Sequence, residues 1–261
     1  MMARLLVLVV LGASAFGALA QPVAYRRVAG GELRSVLPPD AASPTAKVTS
    51  FELRARPVTN GEFLAFVLSH PAWQRGHAPD IFVDGRYLSH WASANLPGKA
   101  GRNSPVTHVS WFAAQAFCEG EAARLPTWHE WEWAAAADET RRDARDDPAW
   151  REHILSWYAR PSVSPLPAVG KSPPNLYGIQ DLHGLIWEWV EDHAGMMVSS
   201  DNREQGDPDL RKFCGAGALS VSDRENYAIL MRIALLSSLR AADTTGNLGF
   251  RCARDLDGVT R

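Results

Sequence analysis

Cysteine is the residue type in this chain with the widest chemistry, and the sequence contains only three: Cys118, Cys214 and Cys252. A thiolate binds soft metal ions or acts as a nucleophile, and two thiols join as a disulfide in an oxidising compartment. Three cysteines allow one disulfide and one remaining thiol, in three possible pairings. Their positions alone do not choose among these pairings.

The segment DLHGLIWEW, residues 181–189, has the composition of a loop that binds a hard cation. The short side chain of Asp181, nearby backbone carbonyls and the carboxylate of Glu188 are the ligand types that calcium prefers. The alternative is that both carboxylates only accept hydrogen bonds from turn amides. His183 and His193 are the candidates for a second metal centre, although lone histidines are more often packing or surface residues.

Helix-capping signals indicate the elements that position these residues. Boxes of the T-x-x-E type at residues 59–62 and 127–130 predict the beginnings of two helices. Ser110 can cap a third helix, which runs to about Ala123 and carries the first cysteine. Residues 28–48 are poor in periodicity and rich in turn formers, which predicts short strands and loops.

Three further segments are predicted to have little regular structure. Residues 70–103 contain much Gly, Pro and Trp and are expected to form a long ordered loop. Residues 141–151 are highly charged, which favours a solvated loop, and residues 175–193 follow a Pro-Pro turn.

The beginning of the chain bears on its compartment. The first 20 residues contain one Arg, then an apolar run, then small residues that end in A-x-A before Gln21. This is the order of a secretory signal peptide. We therefore predict a signal peptide at 1–20, one domain at 21–261, and a periplasmic or secreted location. The net charge of −2 is spread without long runs of either sign. We expect no nucleic-acid partner and, after cleavage, no membrane.

Five motifs occur in order along the chain. They are PVTNGEFLAFV, PVTHVSWFAAQAFC, ARLPTWHEWEWAA, NLYGIQDLHGLIWEWVEDH and NLGFRCA. In order and spacing they resemble the formylglycine-generating enzyme family, also called the sulfatase-modifying factor family, over about residues 26–253. The resemblance implies an α+β fold of a single domain, related to C-type lectins, rich in loops and with few regular elements. Family members carry out several reactions, so the site must be read residue by residue.

The resemblance makes specific statements about the cysteines. It implies that Cys118 pairs with Cys252, as the matching cysteines do in the formylglycine-generating enzymes. The copper-dependent members bind Cu(I) with two further cysteines, and the corresponding residues 218–246 contain none. Cys214 lies earlier and matches neither copper ligand. It is a buried structural thiol, a thiolate that takes copper or iron together with a histidine or Met231, or a thiol that pairs with a cysteine of a partner protein. No complete ligand set indicates copper or iron.

The same resemblance implies a structural calcium site. Its ligands would be the side chain of Asp181, the carbonyls of Gly184 and Ile186, and the carboxylate of Glu188.

The family's substrate groove corresponds to Trp187, Thr244 and Asn247, with Arg232 in the same region. The alternatives are that Trp187 is a core residue and that Asn247 only holds the loop before the disulfide. Candidates for a catalytic role are Cys214 and, in place of the missing cysteines, Asp223 and Glu225.

These features predict an exported family member without the copper-cysteine pair. It most resembles members that accompany exported metalloenzymes such as copper nitrite reductase, so its expected partner is an exported metalloprotein. One alternative is a non-haem metal-dependent oxidoreductase acting on a small molecule or peptide, like the exported member that matures a siderophore chromophore. Another is a binding module without chemistry. The sequence leaves open whether the protein is an enzyme.

Overall fold

A computed structural model describes most of the predicted domain. The described residues are 24–35, 37, 45–161, 163–195 and 227–256. The predicted signal peptide and the candidates Cys214, Asp223 and Glu225 lie outside the described residues. No helix in the described part is long and apolar enough to cross a membrane.

Short strands and five α-helices make up most of the regular structure of the described residues. The strands are β1 (Tyr25–Val28), β2 (Gly31–Arg34), β3 (Thr45–Val48), β4 (Phe51–Arg54), β5 (Trp187–Glu188), β6 (Leu248–Gly249) and β7 (Ala253–Asp255). The helices are α1 (Asn60–Ser69), α2 (Trp111–Gly120), α3 (Trp128–Ala135), α4 (Pro148–Tyr158) and α5 (Tyr227–Ser237). Turns and loops join them, in agreement with the predicted loop-rich α+β fold.

An antiparallel sheet brings the two ends of the described chain together. Strand β4 is central, with β1 on one side and β7 on the other. Val28 lies opposite Phe51, and Leu53 lies opposite Ala253; all four side chains are fully buried. Two smaller sheets are β2 with β3, antiparallel, and β5 with β6, parallel. The second of these carries the residues of the candidate site.

The helix beginnings follow the predicted caps. Thr59 with Glu62 at α1, and Thr127 with Glu130 at α3, each form a capping box. At α2, the hydroxyl of Ser110 accepts a hydrogen bond from the first turn, and the helix ends three residues before the predicted end. These local signals were sufficient because each cap satisfies backbone donors that the helix itself leaves free.

Helix α4 corrects the prediction of a loop over residues 141–151. The carboxylate of Asp147 accepts a hydrogen bond from the backbone N–H of Ala149 at 2.9 Å, and Pro148 occupies the first helical position. Proline is favoured there because its missing N–H would have had no partner in the helix. The charges of this segment therefore precede a helix instead of filling a long loop.

Helix α5 was also not predicted. Its residues Ile229, Ile233 and Leu236 recur at helical spacing, and all three side chains are buried. The helix packs against α4 and against the turn at His193–Gly195. It therefore lies beside the candidate site.

A disulfide between Cys118 and Cys252 links α2 to the strand segment that ends the sheet. The two Cα atoms are 5.5 Å apart and both side chains are fully buried. Around the disulfide, Phe117 packs against Phe63 and Phe250, with ring centroids 5.8 and 5.3 Å apart. The structure thus contains the pairing that the resemblance implies.

Candidate functional site

Glu188 lies at the centre of the candidate site, on β5, and is fully buried. Its Oε2 accepts hydrogen bonds from Nε of Arg251 and Nε1 of Trp131, and its Oε1 accepts one from Nη2 of Arg251; all three distances are 2.8 Å. Arg251 is equally buried and also donates to the carbonyls of Arg54 and Gln180. The charges form a paired and hydrogen-bonded unit, which is the condition for burying them.

Asp181 closes the loop that precedes β5. Its φ of 59° is in the left-handed region, and its side chain is buried. Oδ1 accepts hydrogen bonds from the hydroxyl of Ser172 at 2.9 Å and from its N–H at 3.2 Å, while Oδ2 accepts one from the N–H of Gly170. The carboxylate therefore ties together two segments that lie about ten residues apart in the chain.

Gly184 and Ile186, the two predicted carbonyl ligands, have clear packing roles. Gly184 has a φ of 82°, and a Cβ there would lie 2.7 Å from Cδ2 of Trp157, so only glycine fits. Ile186 is buried, and its Cδ1 reaches Gly249 on β6. The loop is thus fixed by packing against α4 on one side and β6 on the other.

These contacts bear directly on calcium. The ion takes about six to eight oxygen ligands, yet each carboxylate oxygen of Asp181 and Glu188 already accepts a hydrogen bond from the protein. Arg251 also places a positive charge against Glu188. Among the described residues there is no group of three or more His, Cys, Asp and Glu that could hold a metal ion. Both carboxylates are thus bound within the protein in this structure, and the calcium site stays a prediction from the resemblance.

Trp187 and Asn247, two of the predicted groove residues, are neighbours. The backbone N–H of Trp187 donates to the carbonyl of Asn247 at 2.8 Å, and its indole stacks on Tyr158 with centroids 5.0 Å apart. The side-chain oxygen of Asn247 accepts a hydrogen bond from the hydroxyl of Thr245 at 2.9 Å. Both side chains are half-buried. They remain candidates for contact with a ligand.

Arg232, on α5, is 1% exposed. Its guanidinium lies 3.6 Å from the ring centroid of Trp131, and Nη2 donates to the carbonyl of Glu188. Nε and Nη1 have no hydrogen-bond partner in the described part of the chain. Burial lowers the pKa of Arg232 to about 10, so the side chain is still charged at neutral pH. The residue is enclosed behind β5 and does not face an open groove.

Thr244 is also fully buried. Its hydroxyl donates to Oδ1 of Asp84 at 2.6 Å and its N–H donates to Oδ2 at 3.1 Å. Burial raises the pKa of Asp84, but hydrogen bonds from Thr244 and Arg86 outweigh that effect and hold the pKa below its usual value. Thr244 therefore anchors a loop.

His183 is held between α3 and α4. Its Nε2 donates to the carbonyl of Ala135 at 2.9 Å, so Nδ1 is the acceptor for the hydroxyl of Tyr158 at 3.3 Å. Burial lowers its pKa to about 4, and burial also lowers the pKa of His193, which packs on Trp189. At neutral pH both are uncharged packing residues, which agrees with the more ordinary of the two interpretations.

A cleft beside His183 was not predicted from the sequence. One wall is a face of α4 that carries Trp150, His153, Ile154 and Trp157. These positions follow the i, i+3, i+4, i+7 spacing of a single helix face, and that spacing could have revealed them once the helix was recognised. The cleft also borders the Asp181 loop, with Asp181 and Leu182 among its lining residues.

Comparisons with known proteins agree on the family. The model of the sulfatase-modifying factor enzyme 1-like domain matches residues 7–256. Formylglycine-generating enzyme of Streptomyces coelicolor is 29% identical over 272 residues, which cover 84% of this chain and 83% of that protein. Hercynine oxygenase of Mycobacterium tuberculosis is 31% identical over 165 residues, but these cover 55% of this chain and only 38% of that protein.

Among solved structures, that of CarF is similar to this fold. It has a TM-score of 0.50 and 18% sequence identity, and the match covers 90% of this chain and 99% of CarF. At this identity the likeness concerns the fold alone. The family match over nearly the whole chain shows that the protein belongs to the sulfatase-modifying factor family, which includes the formylglycine-generating enzymes.

Proposed function

We propose that the protein is an exported accessory factor that assists the maturation of a metalloenzyme such as copper nitrite reductase. We also propose that it does not make formylglycine with a copper centre of two thiolates. The observation that carries the second statement is the disulfide. It joins Cys118 and Cys252, so Cys214 is the one thiol that remains in each chain. A centre that holds Cu(I) between two cysteines of one chain cannot form.

The accessory role is supported by how the expected groove residues are used. Arg232 and Thr244 are buried and bound to Glu188 and Asp84, respectively. Two of the four positions that would line a substrate groove therefore hold the fold together. A protein of this family that has lost the thiolate pair but kept its scaffold is suited to binding another protein.

Conversion of a sulfatase-type peptide tests the negative half of the proposal. We expect no loss of the peptide cysteine when the purified chain is supplied with copper and oxygen, while the Streptomyces coelicolor enzyme converts the same peptide. A thiol titration of the denatured, unreduced protein should give one thiol per chain. Conversion of the peptide, or three thiols before reduction, would overturn this half.

Complementation tests the positive half. In a strain without this protein, we expect the nitrite reductase activity of the exported fraction to fall and the wild-type gene to restore it. Failure of Cys214→Ser to restore activity assigns the thiol a role in metal handling, whereas restoration assigns the role to protein binding. Unchanged reductase activity in the deletion strain would refute the accessory role.

A second candidate is an oxidoreductase, because one relative is a hercynine oxygenase. In that case Asp223 and Glu225, which lie outside the described residues, would contribute to a non-haem metal centre. Substrate-dependent oxygen consumption that is lost in Asp223→Asn and Glu225→Gln would favour this candidate. A binding module without chemistry is expected to show neither oxygen consumption nor an effect on a metalloenzyme.

A further inference from the structure

The cleft between α4 and the Asp181 loop has the features of a binding site. Its volume is about 150 Å³, comparable to a cavity that holds one benzene molecule. Ile154, Ile179 and Leu182 are buried apolar side chains among its lining. The cleft is too small for a cofactor and fits one planar group.

Aromatic side chains form the wall on α4. Trp150 and Trp157 are seven residues apart on one helix face, which separates them by about 10 Å along the helix axis, and both line the cleft. Both indoles are only half-buried, unlike the fully buried tryptophans of α3. Burying a half-exposed indole against a partner is favourable, and aromatic rings attract cations over their faces.

The polar groups of the cleft are acidic. Its lining includes the carboxylates of Asp138, Glu139 and Asp181, and none of the described lining residues is Lys or Arg. Asp138 is occupied by the guanidinium of Arg141 at 2.7 Å, and Asp181 by Ser172. Glu139 is exposed, and no guanidinium or hydroxyl among the described residues binds its carboxylate. One carboxylate at the mouth is therefore available to a ligand.

We propose that this cleft binds the guanidinium of an arginine side chain of a partner protein. The guanidinium is planar, packs against aromatic rings and pairs with a carboxylate through parallel N–H groups. The two indoles would contact the planar group, and Glu139 would accept its hydrogen bonds. A lysine ammonium is a more strongly hydrated point charge and matches this wall less well. The inference does not depend on the accessory role, because it is tested without any metalloenzyme.

The test uses the full chain labelled with 5-fluorotryptophan, with the ¹⁹F signals of the two cleft tryptophans assigned from Trp150→Phe and Trp157→Phe. N-acetyl-arginine amide is titrated beside the citrulline, lysine and phenylalanine amides. Citrulline has nearly the same shape as arginine but no charge. We expect the arginine amide to shift both cleft signals saturably and the citrulline amide to bind about tenfold more weakly, because it lacks the charge-assisted hydrogen bonds.

Glu139→Gln is the decisive variant, since an exposed side chain can change without disturbing the fold. We expect it to weaken arginine binding about fivefold, the loss of one partly exposed ion pair. Glu152→Gln is the matched control, because Glu152 is an exposed acid on α4, the helix that carries the cleft tryptophans, and does not appear among the described lining residues. Equal binding of arginine and citrulline, tighter binding of phenylalanine, or no shift with any amide would overturn the proposal.

Discussion

Glu188→Gln removes the negative charge that Arg251 faces in the interior. Both side chains are 0% exposed and share two hydrogen bonds of 2.8 Å. Removing one partner of a buried ion pair costs about 3–5 kcal/mol, because the remaining charge is left uncompensated. Glutamine keeps the side-chain volume, and Arg251 retains its hydrogen bonds to the carbonyls of Arg54, Ala55 and Gln180. We therefore expect a loss near the lower end, about 3 kcal/mol.

Urea unfolding followed by tryptophan fluorescence measures this loss. With an m-value of about 2–3 kcal/mol per molar urea, the midpoint should fall by about 1–1.5 M while m stays unchanged. The experiment is run in calcium and in a chelator. If Glu188 is paired with Arg251, as in the structure, the loss of unfolding free energy is equal in both solutions.

Two results would refute this reasoning. A loss below about 1 kcal/mol would mean that the pair is exposed to water in solution, where ion pairs contribute little. A loss seen only with calcium present would mean that Glu188 is a metal ligand, as the resemblance implies.

Further predictions concern stability. Replacing both Cys118 and Cys252 by Ser should cost about 5 kcal/mol, because the disulfide closes a loop of 134 residues; an unchanged unfolding midpoint would contradict this. Arg232→Met should change the free energy of unfolding by less than about 1 kcal/mol, whereas Arg251→Met, which leaves the buried Glu188 without its partner, should cost about 3–5 kcal/mol. Equal losses of the two variants in urea unfolding would contradict this difference. His183 has a pKa of about 4 when folded against an ordinary 6.5, so the unfolded chain binds more protons between these values and stability should fall as the pH drops from 6.5 to 4. His183→Gln, which keeps the donor to the Ala135 carbonyl, should show a shallower fall, and an unchanged pH slope would contradict the assignment.

The elements that can be predicted from the sequence are those that are stabilised by contacts between residues close together in the chain. The capping boxes at residues 59–62 and 127–130 contain donor and acceptor within one turn, so sequence alone was sufficient. Helix α4 has an equally local cap at Asp147, but the run of charges before it suggested a solvated loop. In α5 the apolar residues Ile229, Ile233 and Leu236 recur at helical spacing, which is a local pattern as well.

The sequence identifies the residues of the candidate site but not the groups that they contact. Asp181 and Glu188 are recognisable from the motif, yet the groups that bind them, Ser172 and Arg251, lie 9 and 63 residues away. Such contacts depend on how β5 and β6 pair, which no local pattern specifies. The burial of Arg232 likewise depends on a distant contact, because its guanidinium lies over the ring of Trp131, whereas the sequence placed Arg232 only in the region of the groove.

The copper content of nitrite reductase, made in the same host with and without this protein, tests the accessory role most directly. Purified reductase is analysed for copper per polypeptide and for nitrite reduction. We expect less copper and lower activity when the protein is absent, and recovery of both when it is supplied. Equal copper and equal activity in the two preparations would contradict the accessory role.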